Sequence, residues 1–372
     1  VPVVDGRVTV RSGGGDYPVV IGAGLRHVLP SILAEHAPAH RYAVISDDRV
    51  APLYAAPLVE GLEGAGVRAD LFVFPHGEAS KNRDEWARLT DAMLSAGHGR
   101  DSVVIAVGGG VTGDLAGFVA STYQRGIPVV QVPTSLVAMI DASVGGKTGL
   151  DVPAGKNLVG AFHPPRVVVA DPETILTLPP FERGQGLVEA MKHGAILDDA
   201  YLRELVADSG RLLQGEVAAV TRAVSRSVSL KAGVVTEDER EAGYREILNF
   251  GHTLGHAIEA ASALRVPHGS AVAAGMVLEA RLGERVGVTE SGSAETLLQS
   301  LRALGPDIIP PIPCPSDRIA SFLSADKKAR KGSPRFVLLR APGEVCSDGA
   351  WSRELPMDTV ETVLRTEWPT AG

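Results

Sequence analysis

Five apolar residues, Val103-Val104-Ile105-Ala106-Val107, run without a break into Gly108-Gly109-Gly110-Val111-Thr112-Gly113-Asp114, and this stretch leaves few architectures open. A strand that is apolar on both faces must be covered on both, which is the condition of a parallel sheet between helices. The glycine turn leads into an expected helix at Leu115–Tyr123. Such a turn exposes backbone N–H groups and a helix N-terminus to a phosphate, so it is a candidate dinucleotide-diphosphate site. Its spacing departs from G-x-G-x-x-G, which argues against an ordinary Rossmann fingerprint.

The surrounding pattern agrees with a parallel sheet. Residues 7–11 and 17–22 read as paired strands around Gly13-Gly14-Gly15. Helical periodicity over 24–36, 50–64 and 82–96 then alternates with short strands at 42–46, 69–74, 103–107, 129–132 and 167–171. Strand and helix alternating at this length imply crossover connections. From Pro172 onward the pattern turns helical, apart from a short strand at Phe336–Leu339. At 372 residues the chain exceeds one ordinary core. The expected fold is an α/β, Rossmann-like parallel-sheet domain over 1–172 and a mainly α-helical domain over 173–372.

Net charge is −8, which argues against a general nucleic-acid or anionic-membrane surface but leaves room for a local cationic pocket. Only Cys314 and Cys346 occur, with no metal or redox spacing, and a reducing compartment suits them. No basic segment leads into an apolar run at the start, and no window approaches the roughly 18 apolar residues of a membrane span. A soluble cytoplasmic protein is expected.

Several polar positions stand at strand ends. Asp47 follows the strand at 42–46, where an acidic side chain either accepts from a ribose or caps the next turn. Glu78, Ser80 and Lys81 follow the strand at 69–74, and Thr134 and Ser135 follow the one at 129–132. Lys147 and Lys156 sit on what read as glycine-rich loops, with Arg125 nearby, and form a cationic rim suited to phosphate or carboxylate. The string Gly145-Gly146-Lys147-Thr148-Gly149 lacks the first glycine of a P-loop, which excludes a nucleoside triphosphatase.

In the second half, His252 and His256 lie four apart in Asn249-Phe250-Gly251-His252-Thr253-Leu254-Gly255-His256-Ala257-Ile258-Glu259. On a helix they share one face, the geometry in which paired imidazoles hold a divalent metal, and His268 can return to the same point. The plainer alternative is a pair of hydrogen-bonded core histidines. Gly251 and Gly255, without Cβ, permit close approach of a backbone or ligand. Glu189, in a mostly apolar approach and sharing a face with Lys192, is costly unless paired or metal-bound, and is the natural third ligand.

These motifs, taken in order with Ser143-Val144-Gly145-Gly146-Lys147, Gly155-Lys156-Asn157 and Asp326-Lys327-Lys328, resemble the 3-dehydroquinate synthases of the sugar-phosphate cyclase superfamily over essentially the whole chain. The resemblance implies NAD and Zn²⁺ or Co²⁺ as cofactors, a small sugar phosphate as substrate and a homodimer. It implies Glu189, His252 and His268 as metal ligands, whereas spacing alone selects His252 and His256. NAD would be met by Asp47, Glu78, Lys81, Gly109, Gly110, Val111, Asp114, Thr134, Ser135, Lys147, Lys156, Thr177, Leu178 and Glu182. Substrate would be met by Asp141, Lys147, Lys156, Asn157, Lys192, Lys231, Arg245, Asn249, His256, one of Lys327 and Lys328, and Arg125 from across the dimer.

The implied reaction converts 3-deoxy-arabino-heptulosonate 7-phosphate into 3-dehydroquinate and phosphate. NAD takes hydride from a carbinol beside the metal-held hydroxyls, phosphate is eliminated, the hydride returns and an aldol step closes the ring. Lysine, arginine and asparagine serve to orient and to stabilise charge. Related readings are amino-dehydroquinate synthase, another cyclase and, less closely, a metal-dependent alcohol dehydrogenase. One departure stands out: Ser270 occupies the position after His268-Gly269 where the family usually has glutamate, which puts carboxylate support of the histidine in question.

Overall fold

The computed structural model describes residues 6–311, 313–330 and 334–367, without the side chains of 324–330. Strands β1 (Gly6–Val10), β2 (Tyr17–Ile21), β3 (Arg41–Asp47), β4 (Ala69–Phe74), β5 (Ser102–Gly108) and β6 (Val129–Pro133) belong to one sheet. After the separate hairpin β7 (Lys147–Val152) and β8 (Gly155–Phe162), β9 (Val167–Ala170) completes it. The order is β1-β2-β9-β6-β5-β3-β4, antiparallel only between β1 and β2.

Helices α1 (Leu29–His36), α2 (Ala56–Gly64), α3 (Arg83–Ser95) and α4 (Gly110–Thr122) cover the sheet. Alternation along the strands explains the two layers. Tyr42, Val44, Ile105 and Val107 pack beneath Leu29 and Leu33 of α1 and Leu58 and Leu62 of α2. Ala43, Ile45, Val104 and Ala106 pack on the other face with Leu89 and Met93 of α3 and Leu115 and Val119 of α4. Full burial of each larger aliphatic side chain contributes about 1.5–3 kcal/mol, so a charge on either face breaks the layer.

Three local expectations change. Helix α4 begins at Gly110, so most of the glycine string is helix and not turn. Its glycines answer to packing: a Cβ on Gly108 would lie 2.3 Å from Thr112 Oγ1, one on Gly113 2.9 Å from Gln131 Oε1, and one on Gly117 2.5 Å from Thr148 Cγ2. Lys147 and Lys156 stand on paired strands and not on loops, because β7 and β8 close a hairpin across 153–154. The strand expected at 336–339 is two short ones, β10 (Arg335–Phe336) and β11 (Leu339–Ala341), which pair with β13 (Arg353–Glu354) and β12 (Glu344–Val345) respectively.

The chain forms two compact units, one holding the described residues up to Leu178 together with Val217–Glu239 and the other Pro179–Glu216 with the described residues from Arg240 on. The single cut expected near 172 gives no sign of this return. Helices α5 (Pro180–Leu197), α6 (Asp199–Ala207) and α7 (Ser209–Gln214) belong to the second unit, whereas α8 (Val217–Glu237) packs on β1 and β2 of the first. The second unit continues with α9 (His252–Ala261), α10 (His268–Arg285), α11 (Ser293–Arg302), α12 (Ser316–Arg330) and α13 (Met357–Thr366). Every residue of α5 from Arg183 to Ile196 is buried, the mark of a helix surrounded by others.

Gly251, Gly255 and Gly275 let α9 and α10 touch backbone to backbone. A Cβ on Gly275 would fall 2.0 Å from Gly251 O, and one on Gly255 3.2 Å from Ala271 O. Gly251 also has φ 79°, which favours glycine where the chain turns into α9. Among the described residues no helix is long and apolar enough to cross a membrane.

Candidate metal and dinucleotide sites

Three side chains converge in the helical unit. Glu189 comes from the middle of α5, His252 from the first position of α9 and His268 from the first position of α10. His252 Nε2 and His268 Nε2 lie 3.6 and 3.5 Å from Glu189 Oε1, and one ligand atom from each residue falls within 4.8 Å of the others. Tetrahedral zinc with ligands at about 2.1 Å separates neighbouring ligand atoms by about 3.4 Å, so the trio fits such an ion. Lys192 Nζ, 2.6 Å from Glu189 Oε2, holds the other carboxylate oxygen, and both side chains are almost wholly buried. The pair thereby meets the burial cost of each charge and leaves Oε1 facing the histidines.

The histidines differ sharply. Burial, reinforced by the Lys192 charge, pushes His252 down to about 3, so its ring is neutral and able to ligate. Burial also opposes the charge on His268, yet hydrogen bonds and charges from Glu189 and Glu259 outweigh it and raise the ring to about 10, although two-fifths of the side chain is exposed. Glu259 Oε2 lies 3.2 Å from His268 Nδ1. That contact directs Nε2 toward Glu189, the arrangement by which a carboxylate orients a ligating imidazole. Glu259 stands at the end of the histidine motif, where nothing in the spacing marks this role.

Ser270 makes a different pairing. Its N–H donates to Gln185 Oε1 and its Oγ accepts from Gln185 Nε2, each at 2.9 Å, which ties α10 to α5. Carboxylate support of His268 therefore comes from α9. His256 is exposed, its ring 5.3 Å from that of His252. With Glu259 and His268 it forms a second group of potential ligand atoms, so the spacing pair His252 and His256 divides between two clusters that share His268. Of the remaining candidates in this unit, Arg245 is buried, Asn249 Nδ2 donates to Glu241 Oε1 at 2.8 Å, and Glu182 is exposed in the first turn of α5. The side chains of Lys327 and Lys328 lie outside the described residues.

In the sheet unit the strand order reverses between β3 and β5, and the carboxyl ends at such a reversal are where open α/β sheets bind ligands. Asp47 ends β3, while Gly109 and Gly110 follow β5 with Val111 in the first turn of α4. Asp47 Oδ1 accepts from the N–H groups of Arg49 and Val50 at 3.0 Å, and Oδ2 accepts from Thr112 Oγ1 at 3.3 Å, so this carboxylate serves as a cap in the free chain. Thr134 N bonds Gly108 O at 2.9 Å, and Ser135 Oγ accepts from Ala138 N at 3.3 Å. Thr177 Oγ1 and Tyr54 OH are 2.9 Å apart at the end of this unit, beside Leu178.

Lys81 is the hub of a second polar cluster, with Nζ 3.0 Å from Glu78 Oε1, 3.3 Å from Asp114 Oδ2, 3.5 Å from Asp151 Oδ1 and 2.9 Å from Asn157 Oδ1. Lys156 Nζ lies 3.6 Å from the same Glu78 oxygen. Burial pushes Asp114 up to about 6 against the pull of Lys81. Asp151, which no sequence motif marks, accepts the Asn157 N–H at 2.9 Å and so holds the start of β8, where Asn157 takes φ 56°. Lys231, on α8, bonds both Asp141 O and Asp141 Oδ1 at 2.7 Å. Lys147 is exposed at the start of β7, and Arg125 is exposed with φ 73°.

Family models describing the N-terminal and C-terminal parts of 3-dehydroquinate synthase match residues 71–184 and 186–329. The chain belongs to the 3-dehydroquinate synthase family. The 3-dehydroquinate synthase of Symbiobacterium thermophilum is 46% identical over 332 residues, covering 88% of this chain and 92% of that protein. Among solved structures, 2-deoxy-scyllo-inosose synthase complexed with carbaglucose-6-phosphate, NAD⁺ and Co²⁺ is similar at TM-score 0.88 and 26% identity, covering 97% of this chain and 99% of that one. The 2-epi-5-epi-valiolone synthase of Streptomyces hygroscopicus subsp. jinggangensis, with NAD⁺ and Zn²⁺ bound, is similar at TM-score 0.85 and 27% identity with the same coverage. Like these relatives of the 3-dehydroquinate synthase family, the chain joins a parallel-sheet α/β unit to a largely helical one.

Proposed function

We propose that the protein converts 3-deoxy-D-arabino-heptulosonate 7-phosphate to 3-dehydroquinate and phosphate, as an NAD- and divalent-metal-dependent carbon–oxygen lyase. The observation that carries this reading is the convergence of Glu189, His252 and His268 in a chain 46% identical to a 3-dehydroquinate synthase. Two cysteines that remain thiols suit the cytoplasm, and a homodimer accompanies the reading.

Glu189 Oε1, His252 Nε2 and His268 Nε2 would hold Zn²⁺ or Co²⁺, with Lys192 on the second oxygen of Glu189 and Glu259 on the far nitrogen of His268. The carboxyl ends of β3 and β5, with Asp47 and Gly109–Val111, would take NAD; the Lys81 cluster, Thr134, Ser135, Lys147, Lys156, Thr177, Leu178 and Glu182 complete its assigned contacts. When bound, NAD supplies a reversible hydride acceptor and the metal a Lewis acid for neighbouring oxygens.

The chain's own residues bind and orient. Lys147, Lys156, Asn157, Lys192, Lys231, Arg245 and Asn249 are assigned to substrate phosphate, carboxylate and hydroxyl groups, where fixed cations stabilise developing negative charge. Lys231 is pre-set by its bonds to Asp141, so its ammonium needs little reorganisation. His256 is assigned to substrate beside the metal cluster, and Arg125 to phosphate bound by a second copy.

Phosphate release from 3-deoxy-D-arabino-heptulosonate 7-phosphate, with NAD and Zn²⁺ or Co²⁺ present and NADH absorbance followed, tests the reading. Stoichiometric phosphate and dehydroquinate without NADH accumulation support it. Absence of phosphate from this substrate, with release from its amino analogue, replaces it by the amino-dehydroquinate reaction. NADH accumulating with simple polyols replaces it by a dehydrogenase.

A further inference from the structure

His252 is the first residue of α9, and the end of a helix where it sits carries partial positive charge from unpaired N–H groups. A cation held there is repelled by its own supporting helix. The chain supplies a counter-charge from α10. Glu279, with no exposed surface, lies under this end of α9: Oε2 accepts from Gly251 N at 2.8 Å and Oε1 from Leu254 N at 3.2 Å, with the Thr253 N–H also bonded to the carboxylate. These are the N–H groups that flank His252 in sequence.

We infer that Glu279 is a positioning residue for the metal: its carboxylate locks the first turn of α9, sets His252 in place and cancels the helix-end charge that opposes a divalent cation. The inference rests on the metal reading given under Proposed function.

Two observations support it, against the cost of burying the charge. Both oxygens of Glu279 receive N–H donors, so a proton on either would face a donor, and the ionised form is the one these contacts satisfy. The reach of the side chain depends on the close approach of α10 to α9 at Gly275 and Gly251, which brings the carboxylate directly against the helix end. Burial works against the charge and pushes the carboxyl up to about 8 in the metal-free chain, although the N–H groups of Gly251, Thr253 and Leu254 favour ionisation. A dication on His252 favours the charged form by the same electrostatics, so cation and carboxylate reinforce each other. A buried glutamate that served packing alone would be replaced without loss by an apolar residue of its size.

The test is the Zn²⁺ dissociation constant, measured by chelator competition, for the wild type, Glu279→Gln, Glu279→Asp and His268→Ala, with NAD affinity measured alongside. Glu279→Gln keeps the shape and loses the charge; Glu279→Asp keeps the charge on a shorter stem. Zinc binding about 10- to 100-fold weaker in Glu279→Gln, with Glu279→Asp closer to wild type and NAD affinity unchanged, supports the inference. Equal zinc affinity in Glu279→Gln and wild type, or the order reversed so that Gln outperforms Asp, overturns it while the metal reading stands. Zinc binding that survives unaltered in His268→Ala defeats the metal reading itself, and the inference with it.

Discussion

Lys192 Nζ and Glu189 Oε2 lie 2.6 Å apart inside α5, three residues from each other and almost without exposed surface. The contact fixes which carboxylate oxygen is left for the histidines, and it makes the lysine part of the electrostatics of the candidate metal centre. Breaking a buried pair by removing one partner costs about 3–5 kcal/mol, because a lone charge remains. Lys192→Met is therefore expected to lower stability by up to about that amount in metal-free protein, where the protonated His268 still offsets part of the Glu189 charge, and by less with Zn²⁺ bound, since the dication then balances Glu189. Urea unfolding with and without zinc measures both; an equal loss in the two states contradicts the shared site.

Zinc binding is expected to release at least one proton. The His268 ring, raised to about 10, carries a proton at neutral pH that the metal must displace, while His252, lowered to about 3, carries none. Affinity should rise at least tenfold per unit between about pH 6 and about pH 8, and more steeply where Glu279, pushed up to about 8, ionises together with metal binding. For the metal-free chain the sign is opposite: the raised pKa of His268 stabilises the fold fully below its ordinary value and progressively less as pH climbs toward about 10. Isothermal titration in buffers of different ionisation enthalpy counts the released proton, and a count of zero removes His268 Nε2 from the ligand set.

Glu259→Gln should weaken zinc binding about 10- to 100-fold, because a neutral amide orients the His268 ring less firmly than a carboxylate. His268→Ala should abolish retention. Metal content after gel filtration in dilute chelator separates the two, and unchanged content in His268→Ala would falsify its assignment.

Gly275→Ala should disrupt the second unit. Its Cβ would need to occupy a point 2.0 Å from Gly251 O, and overpacking between backbones costs about 1–3 kcal/mol or more. Gly61→Ala, on α2 with no atom within 4 Å of the new Cβ, should instead stabilise by about 0.5–1 kcal/mol. Thermal unfolding of both variants gives the comparison; a neutral Gly275→Ala would mean that α9 and α10 separate at little cost.

Lys147→Ala should leave the fold and the zinc content unchanged and lose turnover, since the side chain is exposed at the start of β7, away from either core layer. Near-wild-type phosphate release from this variant would remove the lysine from the catalytic set.

Much of the sheet unit was legible because its signals are local. Val103–Val107 announces a strand covered on both faces, and the alternation of strand and helix around it leaves a parallel sheet as the consistent fold. The start of α4 is hidden from the sequence because glycine is a turn signal in isolation, whereas Gly113 and Gly117 are small to make room for Gln131 and Thr148. Lys147 and Lys156 read as loop residues for the same reason, since hairpin pairing is a contact between segments. At the metal cluster, the four-residue spacing singles out His252 and His256, but the clusters they join are decided by where α10 begins. Glu279 left only a faint mark, a carboxylate at the end of the apolar run Ala271–Leu278, the same kind of signal that drew attention to Glu189.

The sequence by itself determined an α/β first half, a helical second half and the ordered motifs that carry the family, because strand alternation, helical period and glycine sterics act over a few residues. Tertiary structure alone decided that α8 returns to the sheet unit, that Glu259 and not residue 270 supports His268, and that Glu279 closes the end of α9. Those outcomes depend on how closely whole helices approach, and the deciding contacts, Gly251 with Gly275 and Gln185 with Ser270, join residues from separate helices and turns whose meeting no local pattern encodes.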